Sequence, residues 1–292
     1  MYTVATVGLL SQDDYTVNIA NEIPKLHERY DIILHAAGKA HSVPRSEAEK
    51  QMFFDVNLQG TKNLCAALEK VGVPRVFIFI STVAVYGCAY GENITEDHPL
   101  NGDTPYAMSK RLAEEYLQKW CYEHNVILGI IRPSLIAGPN PPGNLGAMIY
   151  GIRSGKYLSI AGSQARKSVL MVQDIAKLVP LLAEKGGIYN VCDSHHPTFR
   201  ELETTICRQL DKKLPLSIPY WVDEYGKRHT PSKSTGLTVK GNKKRAEKML
   251  SEARAAKEAE LEARAIERST GKAPIGTILF TAFLLDWLEM MN

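Results

Sequence analysis

The sequence predicts an α/β fold in which helices cover both faces of a doubly wound parallel β-sheet. Short apolar runs such as Val76–Ile80 are continuous, as in a strand that is buried on both faces, and do not alternate with polar residues. Segments with helical periodicity separate one run from the next, which is typical of parallel β-α-β connections. The chain has 292 residues, of which 45% are hydrophobic, so it can bury a large core.

Each element is predicted in turn by its apolar pattern. Two short strands are expected at residues 4–10 and 15–19, and a third over Asp31–Ala37 that ends at Gly38. A helical pattern follows through Val56, Leu58, Leu64 and Leu68. The later elements are strands at 76–81, 126–132 and 187–191, with a helix at 105–124 between the first two of them.

Composition excludes several classes of protein. The five cysteines are scattered without the spacing of metal ligands, so we expect no metal site and a reducing compartment, the cytoplasm. The most apolar late run, Ile278–Leu285, is too short to span a bilayer and is followed at once by Asp286, so no membrane segment is expected. The composition also excludes collagen, a disulfide-rich miniprotein and a wholly disordered chain.

Charge divides the chain into two parts. Residues 222–292 hold 13 Lys and Arg against 10 Asp and Glu, so they carry the whole net charge of +3. Within that part, residues 225–248 contain eight basic residues and one acid. We therefore predict an α/β domain over 1–221, and a basic hairpin followed by a helical tail over 222–292.

Polar residues after the predicted strands indicate where a ligand binds, because ligands of parallel sheets lie beyond the carboxyl ends of the strands. The segments to consider are His35–His41, Ser81–Tyr86 and Arg132–Asn140. The following helix holds Tyr106 and Lys110, which share one helix face at a spacing of four residues. An ammonium beside a phenol stabilises the phenolate and lowers the pKa of the phenol, and the Thr82 hydroxyl is suited to bind the same substrate oxygen. These three residues are suited to moving a proton on or off a carbinol during hydride transfer.

Five motifs together resemble the NAD-dependent sugar epimerase/dehydratases, which are extended short-chain dehydrogenase/reductases with a Rossmann-like fold. The resemblance covers about residues 2–221. Its strongest carriers are Ser81-Thr-Val-Ala-Val-Tyr-Gly87, Tyr106-Ala-Met-Ser-Lys110 and Arg132-Pro-Ser-Leu-Ile-Ala-Gly-Pro139. His35-Ala-Ala-Gly38 and Asp55-Val-Asn-Leu-Gln-Gly-Thr61 complete the set.

The resemblance implies a role for each matched residue. It implies that Tyr106 is the base, that Lys110 is its partner and binds ribose, and that Thr82 supplies the hydroxyl. It also implies an NAD or NADP cofactor with NAD favoured, a nucleotide-sugar substrate, and a homodimer formed through the helices of Asn57 and Tyr106. Asn57 is expected to support the active-site helix. The cofactor set is Ala36, Ala37, Gly38, Ser81, Tyr106, Lys110 and Pro133, and the candidate substrate set is Asn140, Asn144 and Arg166.

One part of the family pattern is not found in the sequence before residue 31. Family members open with a strand, a glycine-rich turn and a helix that bind the cofactor pyrophosphate. Here Gly8 is the only glycine ahead of Gly38, and residues 4–10 resemble the second strand of the family. We therefore expect a Rossmann-like sheet that lacks its first βα unit, and impaired cofactor binding.

The tail resembles the amino-terminal, arm-binding and core-binding part of a tyrosine recombinase (integrase). Residues 223–237 predict a hairpin with its turn at Tyr225-Gly226, residues 243–268 a helix, 269–274 a linker and 279–292 a second helix. The resemblance implies weak DNA binding through phosphate contacts. The residues expected to make them are Lys227, Arg228, Lys233 and Lys240.

Three functional interpretations stay open at this point. The first is an NAD(P)-dependent nucleotide-sugar epimerase or 4-ketoreductase. Val83 and Ala84 follow Thr82 where a dehydratase carries an acid/base carboxylate pair, which argues against dehydration. The second interpretation is an inactive fusion remnant, and the third is a DNA-binding module on an inert scaffold.

Overall fold

A computed structural model describes residues 3–88, 91–160, 164–218, 221–222 and 228–229. The described residues form two compact units. One lies within residues 3–146 and 167–196, and the other within residues 147–166 and 197–229. The predicted boundary between 221 and 222 stays a prediction.

The described residues form twelve strands and six α-helices. The strands are β1 Val7–Gly8, β2 Tyr15–Thr16, β3 Ile32–His35, β4 Val76–Ile80, β5 Ile127–Pro133, β6 Leu135–Ala137, β7 Ser159–Ile160, β8 Val169–Met171, β9 Gly187–Val191, β10 Ser217–Ile218, β11 Trp221–Val222 and β12 Arg228–His229. The α-helices are α1 Glu47–Phe54, α2 Gly60–Val71, α3 Pro105–Glu123, α4 Gly143–Ser154, α5 Val172–Lys185 and α6 Phe199–Gln209.

Four parallel strands form the central sheet in the order β3-β4-β5-β9. Side chains of β4 point to its two faces in alternation: Phe77 and Phe79 join the apolar cluster formed with α2 and α3, whereas Val76 and Ile78 join the cluster formed with α5. All four are fully buried. Helices therefore cover both faces of the sheet, and the predicted α/β class with a parallel sheet is confirmed.

The strands β1 and β2 form a separate parallel pair at the start of the chain. They are shorter than predicted because Asp13 and Asp14 bond the backbone of Leu10 and Thr6 and turn the chain between them. Among the described strands, β3 is hydrogen-bonded on one side only, to β4. Leu34 on β3 is 45% exposed, although the sequence reads as a strand buried on both faces.

One continuous helical segment runs from α1 through a π-helical turn at Asp55–Gln59 into α2. The helical pattern predicted this segment, but not the π turn, which shifts the helix face and is frequent at functional sites. The turn contains Asn57, which is fully buried.

The second unit is held by a small apolar cluster of Met148, Ile152 and Cys207. Its helix α6 begins with a capping box, in which Thr198 and Glu201 each bond the other's backbone. The strands β11 and β12 are antiparallel, with Trp221 opposite His229 and Val222 opposite Arg228. The predicted turn at Tyr225-Gly226 lies outside the described residues. The other elements predicted for the tail, at 243–268, 269–274 and 279–292, lie outside the described residues.

Neither a membrane span nor a metal cluster is found in the part of the chain that the structure describes. Its helices are too short or too polar to cross a bilayer. No group of three His, Cys, Asp or Glu side chains there is suited to hold a metal ion. All five cysteines are free.

Candidate active site

The first turns of α3 carry Tyr106 and Lys110. The helix begins at a fixed residue because Thr104 caps it, accepting from the amide of Ala107, and Pro105 stands in its first turn. This start directs Lys110 inward, where its side chain is only 4% exposed. The ammonium donates to the carbonyl of Ile80 at 2.9 Å, which fixes α3 against the carboxyl end of β4.

The charge of Lys110 is kept at neutral pH despite burial. Burial lowers the pKa of Lys110 to about 8, and the carboxylate of Glu114 opposes that shift. The ammonium also lies 4.6 Å from the centre of the Phe79 ring, in a cation–π contact. Lys110 is therefore a buried cation at pH 7, at the edge where the sequence predicted chemistry.

Thr82 stands between β4 and a 3-10 turn at Val83–Tyr86. Its hydroxyl accepts from the amide of Ala84 at 3.1 Å and lies near enough to the phenol of Tyr106 to act on its pKa. Burial raises the pKa of Tyr106, and the Thr82 hydroxyl opposes that rise. The direction differs from the expectation that Lys110 would lower the pKa of Tyr106, because the ammonium is directed to the carbonyl of Ile80 and burial dominates.

The exposed segment Ala36–Gly38 follows β3 and passes beside Lys110. A β-carbon at Gly38 would lie 3.0 Å from the Lys110 ammonium and 3.1 Å from the Asn57 amide oxygen. Both distances are shorter than ordinary contacts, so any other residue here would force the ammonium or the amide to move. The exposed small residues next to a buried cation leave this edge of the sheet open to a ligand.

Asn57 ties three parts of the site together. Its amide oxygen accepts from the backbone of Lys39 at 2.7 Å, and its amide nitrogen donates to the carbonyl of Lys39 and to the hydroxyl of Ser109 on α3 at 2.9 Å. Asn57 thus supports the active-site helix, as the resemblance implied. The π turn presents the side chain to both neighbours.

His35 is a buried residue of the site whose state the sequence did not predict. The hydroxyl of Thr61 donates to the carbonyl of Asn57 at 2.7 Å, so at its 2.9 Å contact with His35 Nε2 it must accept a hydrogen bond from that nitrogen. Burial, and secondarily the charge of Lys110, lowers the pKa of His35 to about 3. The imidazole is therefore neutral at pH 7, with its proton on Nε2.

This buried neutral state predicts that acid destabilises the fold through His35. The unfolded chain binds a proton below the ordinary pKa of 6.5, whereas the folded chain resists it down to about 3, so the free energy of unfolding falls as pH falls through that interval. Between pH 6 and 4 the wild type is expected to lose up to ~1.4 kcal/mol per pH unit more than His35→Gln. Urea unfolding at pH 7, 6, 5 and 4 measures both slopes.

The control is Ile130→Val, because Ile130 is fully buried on β5 and carries no titratable group. This variant is expected to lower the free energy of unfolding at every pH and to keep the slope of the wild type. Parallel curves for the wild type and His35→Gln would contradict the assignment of a buried neutral imidazole.

Two further residues of the predicted cofactor set are buried. The hydroxyl of Ser81 donates to the carboxylate of Glu114 and is 3% exposed. Pro133 ends β5, where it pairs in register with Val191 of β9. Both lie at the carboxyl end of the sheet, but contact with a cofactor stays a prediction for each.

The predicted substrate residues divide between the two units. Asn140 is exposed and takes a left-handed backbone conformation with φ 47°, and Asn144 is exposed on the first turn of α4. Arg166 is exposed in the second unit, where its backbone forms a bridge with Thr198. Their roles toward a substrate stay predictions.

The residues predicted to contact DNA are largely outside the described part of the chain. Arg228 lies on β12, and nothing is described of its side chain. Lys227, Lys233 and Lys240 fall in the ranges that are not described.

A family model matches residues 13–192, under the description NAD dependent epimerase/dehydratase family. The chain belongs to this family. The match includes the segments of Ala36–Gly38, Thr82, Tyr106 and Lys110, which the structure brings to one edge of the sheet. It ends before residue 222, so it does not include the basic tail.

Individual relatives agree with the family. The N-acetyl-alpha-D-glucosaminyl-diphospho-ditrans,octacis-undecaprenol 4-epimerase of Escherichia coli O157:H7 is 34% identical over 176 residues, 58% of this chain and 53% of the relative. The chain thus spans about half the length of this curated relative.

Two solved structures share the fold. The UDP-glucose 4-epimerase of Thermus thermophilus in complex with NAD superposes with a TM-score of 0.60 at 22% identity, covering 74% of this chain and 78% of that one. RMD from Pseudomonas aeruginosa complexed with NADPH gives 0.55 at 26% identity, covering 68% and 70%.

Proposed function

We propose that this chain moves a proton and a hydride on and off a secondary alcohol of a nucleotide sugar, as a 4-epimerase or a 4-ketoreductase. The single observation that carries the proposal is the convergence of Tyr106, Lys110 and Thr82 at the carboxyl end of β4. A hydroxyl, a phenol and a buried cation at one sheet edge are what alcohol oxidation requires from a protein.

Each side chain has a separate task in this reaction. The side-chain oxygen of Tyr106 carries the proton: as the phenolate it takes the proton of the sugar hydroxyl, and as the phenol it returns that proton. The Thr82 hydroxyl lies near enough to the phenol to act on its pKa, so it is placed to hold the same sugar oxygen. The ammonium of Lys110 keeps the site positive while negative charge develops on oxygen.

The residues present fit the nicotinamide and ribose end of NAD(P). Ala36, Ala37 and Gly38 are exposed beside Lys110. Gly38 has no side chain to push the nearby ammonium away. These residues, with Lys110 and Thr82, would hold that end of the cofactor. The nicotinamide supplies the hydride acceptor and donor when it is bound.

Between the two cofactors, NAD is favoured. In such folds an acidic residue near the end of the second strand binds the ribose 2′-hydroxyl of NAD. The same carboxylate would repel the 2′-phosphate of NADP. No acid occupies residues 9–11, but the structure brings Asp13 back to this place, where its carboxylate accepts from the amide of Leu10 at 2.8 Å. We propose that Asp13 supports the preference for NAD.

The test of the function is product formation. The protein is incubated with millimolar NAD⁺ and one sugar substrate in each reaction, and the 4-epimers are separated by chromatography. The substrates are UDP-glucose, UDP-N-acetylglucosamine and an undecaprenyl-diphosphate-linked N-acetylglucosamine. A 4-keto nucleotide sugar with NADH tests the reductase. Conversion of one substrate supports the proposal, and Lys110→Met should remove it. The absence of conversion with every substrate would favour the inactive remnant instead.

A second role, in DNA binding, rests on the charge of the tail. Eight basic residues in 225–248 are suited to contact phosphates, and the affinity would then fall steeply with salt. Fluorescence anisotropy with duplex DNA at 50 and 200 mM salt measures this affinity. Deletion of residues 222–292 should abolish the binding.

A homodimer formed through the helices of Asn57 and Tyr106 is a further proposal. Sedimentation of the protein without DNA tests it.

A further inference from the structure

A buried polar network joins β5 and α3 to the turn that begins at Thr82. In the sheet, β5 lies on the opposite side of β4 from β3, which the exposed segment Ala36–Gly38 follows. Arg132, the penultimate residue of β5, donates to both oxygens of Glu114 on α3, at 3.1 Å from Nε and 2.6 Å from Nη2. Glu114 is fully buried and Arg132 is 2% exposed. The fork-shaped pairing fixes both side chains in orientation as well as in distance.

The network holds the Thr82 segment at both of its ends. On one side the hydroxyl of Ser81 donates to Glu114. On the other side the phenol oxygen of Tyr86 accepts from Arg132 Nη1 at 2.9 Å and donates to the side chain of Asn190 on β9 at 2.7 Å. The 3-10 turn that begins after Thr82 ends at Tyr86, so Thr82 lies between two fixed points.

The loop that follows this turn is attached to the same network. Arg132 Nη1 also donates to the carbonyl of Glu96 at 3.1 Å, and the carboxylate of Glu96 accepts from the backbone of Asn190 at 2.7 Å. Four of the five guanidinium N–H groups of Arg132 thus have partners within the protein. The guanidinium is therefore committed to the protein rather than open to a substrate.

We infer that Arg132 and Glu114 are positioning residues for proton transfer, which hold the Thr82 turn in place against Tyr106. This inference deepens the proposed function and rests on it for its kinetic part. A buried ion pair is weak evidence for stability, because apolar residues of similar size often stabilise a fold as well or better. The bonds from this pair to Ser81 and Tyr86 fix the Thr82 turn, which apolar residues in their place would not do.

The charged and titratable groups around Lys110 set a limit on the test. Glu114 on the same helix opposes the lowering of the Lys110 pKa, and the charge of Lys110 in turn lowers the pKa of His35 on β3. Removing the charge of Glu114 would therefore change Lys110 as well as the Thr82 turn. Arg132→Lys is the better variant, because it keeps the charge and removes only the fork. Tyr86→Phe removes a single hydroxyl of the network and serves if Arg132→Lys does not fold.

The experiment compares these two variants with two matched controls. Arg75→Lys alters a half-exposed arginine that pairs with Asp31, and Tyr122→Phe alters an exposed tyrosine on α3. In the two network variants, kcat is expected to fall roughly 10- to 100-fold while KM stays within about twofold, since misplacement affects the transition state more than substrate binding. The controls should match the wild type.

Amide exchange reads the position of the turn without any activity. The amide of Ala84 donates to Thr82 Oγ1, that of Gly87 to the carbonyl of Ala84, and that of Gly102 to the carbonyl of Val85. Their hydrogen exchange is expected to accelerate at least ~10-fold in both network variants, with protection elsewhere on β4 and α3 retained.

Three results would overturn the inference. The first is unchanged exchange of the three amides. The second is a raised KM with unchanged kcat, which would indicate contact with the substrate. The third is faster exchange over the whole sheet, which would indicate a purely structural role. If the wild type converts no nucleotide sugar, the proposed function fails, and the exchange result alone decides whether Arg132 and Glu114 position the turn.

Discussion

Tyr106→Phe is expected to lower the turnover of a nucleotide sugar at least ~100-fold, the scale of one acid–base group. The change removes one oxygen and keeps the ring that lies 6.3 Å from Phe53. Because that oxygen lies near the Thr82 hydroxyl, the variant loses the proton carrier beside the group that holds the substrate. Initial rates at saturating substrate and millimolar NAD⁺ measure the effect.

Two controls separate chemistry from folding. Tyr122→Phe removes a phenol oxygen from an exposed position on the same helix and should leave the rate unchanged. Thermal unfolding of Tyr106→Phe should resemble that of the wild type. A rate for Tyr106→Phe within about threefold of the wild type would exclude Tyr106 as the acid–base group.

Binding of NAD(H) to residues 1–292 is expected to be roughly 100-fold weaker, or ~2.7 kcal/mol, than binding to the same chain with a strand, glycine-rich turn and helix joined ahead of residue 1. A pyrophosphate needs backbone N–H donors at a helix N-terminus, and glycines let the backbone come close enough. Residues 1–37 contain only Gly8, and a β-carbon there would meet the carboxylate of Asp13. The groups around Ala36–Gly38 and Lys110 are suited to the ribose and nicotinamide instead.

Calorimetry with NAD⁺ and NADH on both proteins measures this difference. A third protein, with alanines in place of the glycines of the added turn, controls for the effect of simply adding a strand. Micromolar binding by the unmodified chain would show that other residues hold the phosphates.

The central sheet could be predicted because its signal is local. Val76–Ile80 and Val126–Ile131 are continuous apolar runs, and the structure buries side chains on both faces of β4 and β5. The spacing of Tyr106 and Lys110 is equally local, since one helix carries both residues. The edge position of β3 was harder to predict, because its partners depend on which strands surround it and not on its own residues.

The supporting groups could not be predicted, because each depends on distant parts of the chain meeting. Arg132 and Glu114 are 18 residues apart, and Tyr86 and Asn190 are 104 apart. The tautomer of His35 follows from the hydroxyl of Thr61. The pKa of Tyr106 was predicted in the wrong direction, because the sequence shows the neighbouring ammonium but neither the burial of the phenol nor the carbonyl of Ile80 that takes the ammonium.

The fate of hydrogen at the reacting carbon tests the central claim most directly. UDP-glucose carrying deuterium at C4 is incubated with the protein and NAD⁺ in ordinary water, and the nucleotide sugars are analysed by mass spectrometry and NMR. If Thr82, Tyr106 and Lys110 serve oxidation and reduction of the carbinol, the 4-epimer forms and keeps its deuterium, because only the hydroxyl proton passes through Tyr106. A 4-epimer in which water hydrogen has replaced the deuterium would contradict this account.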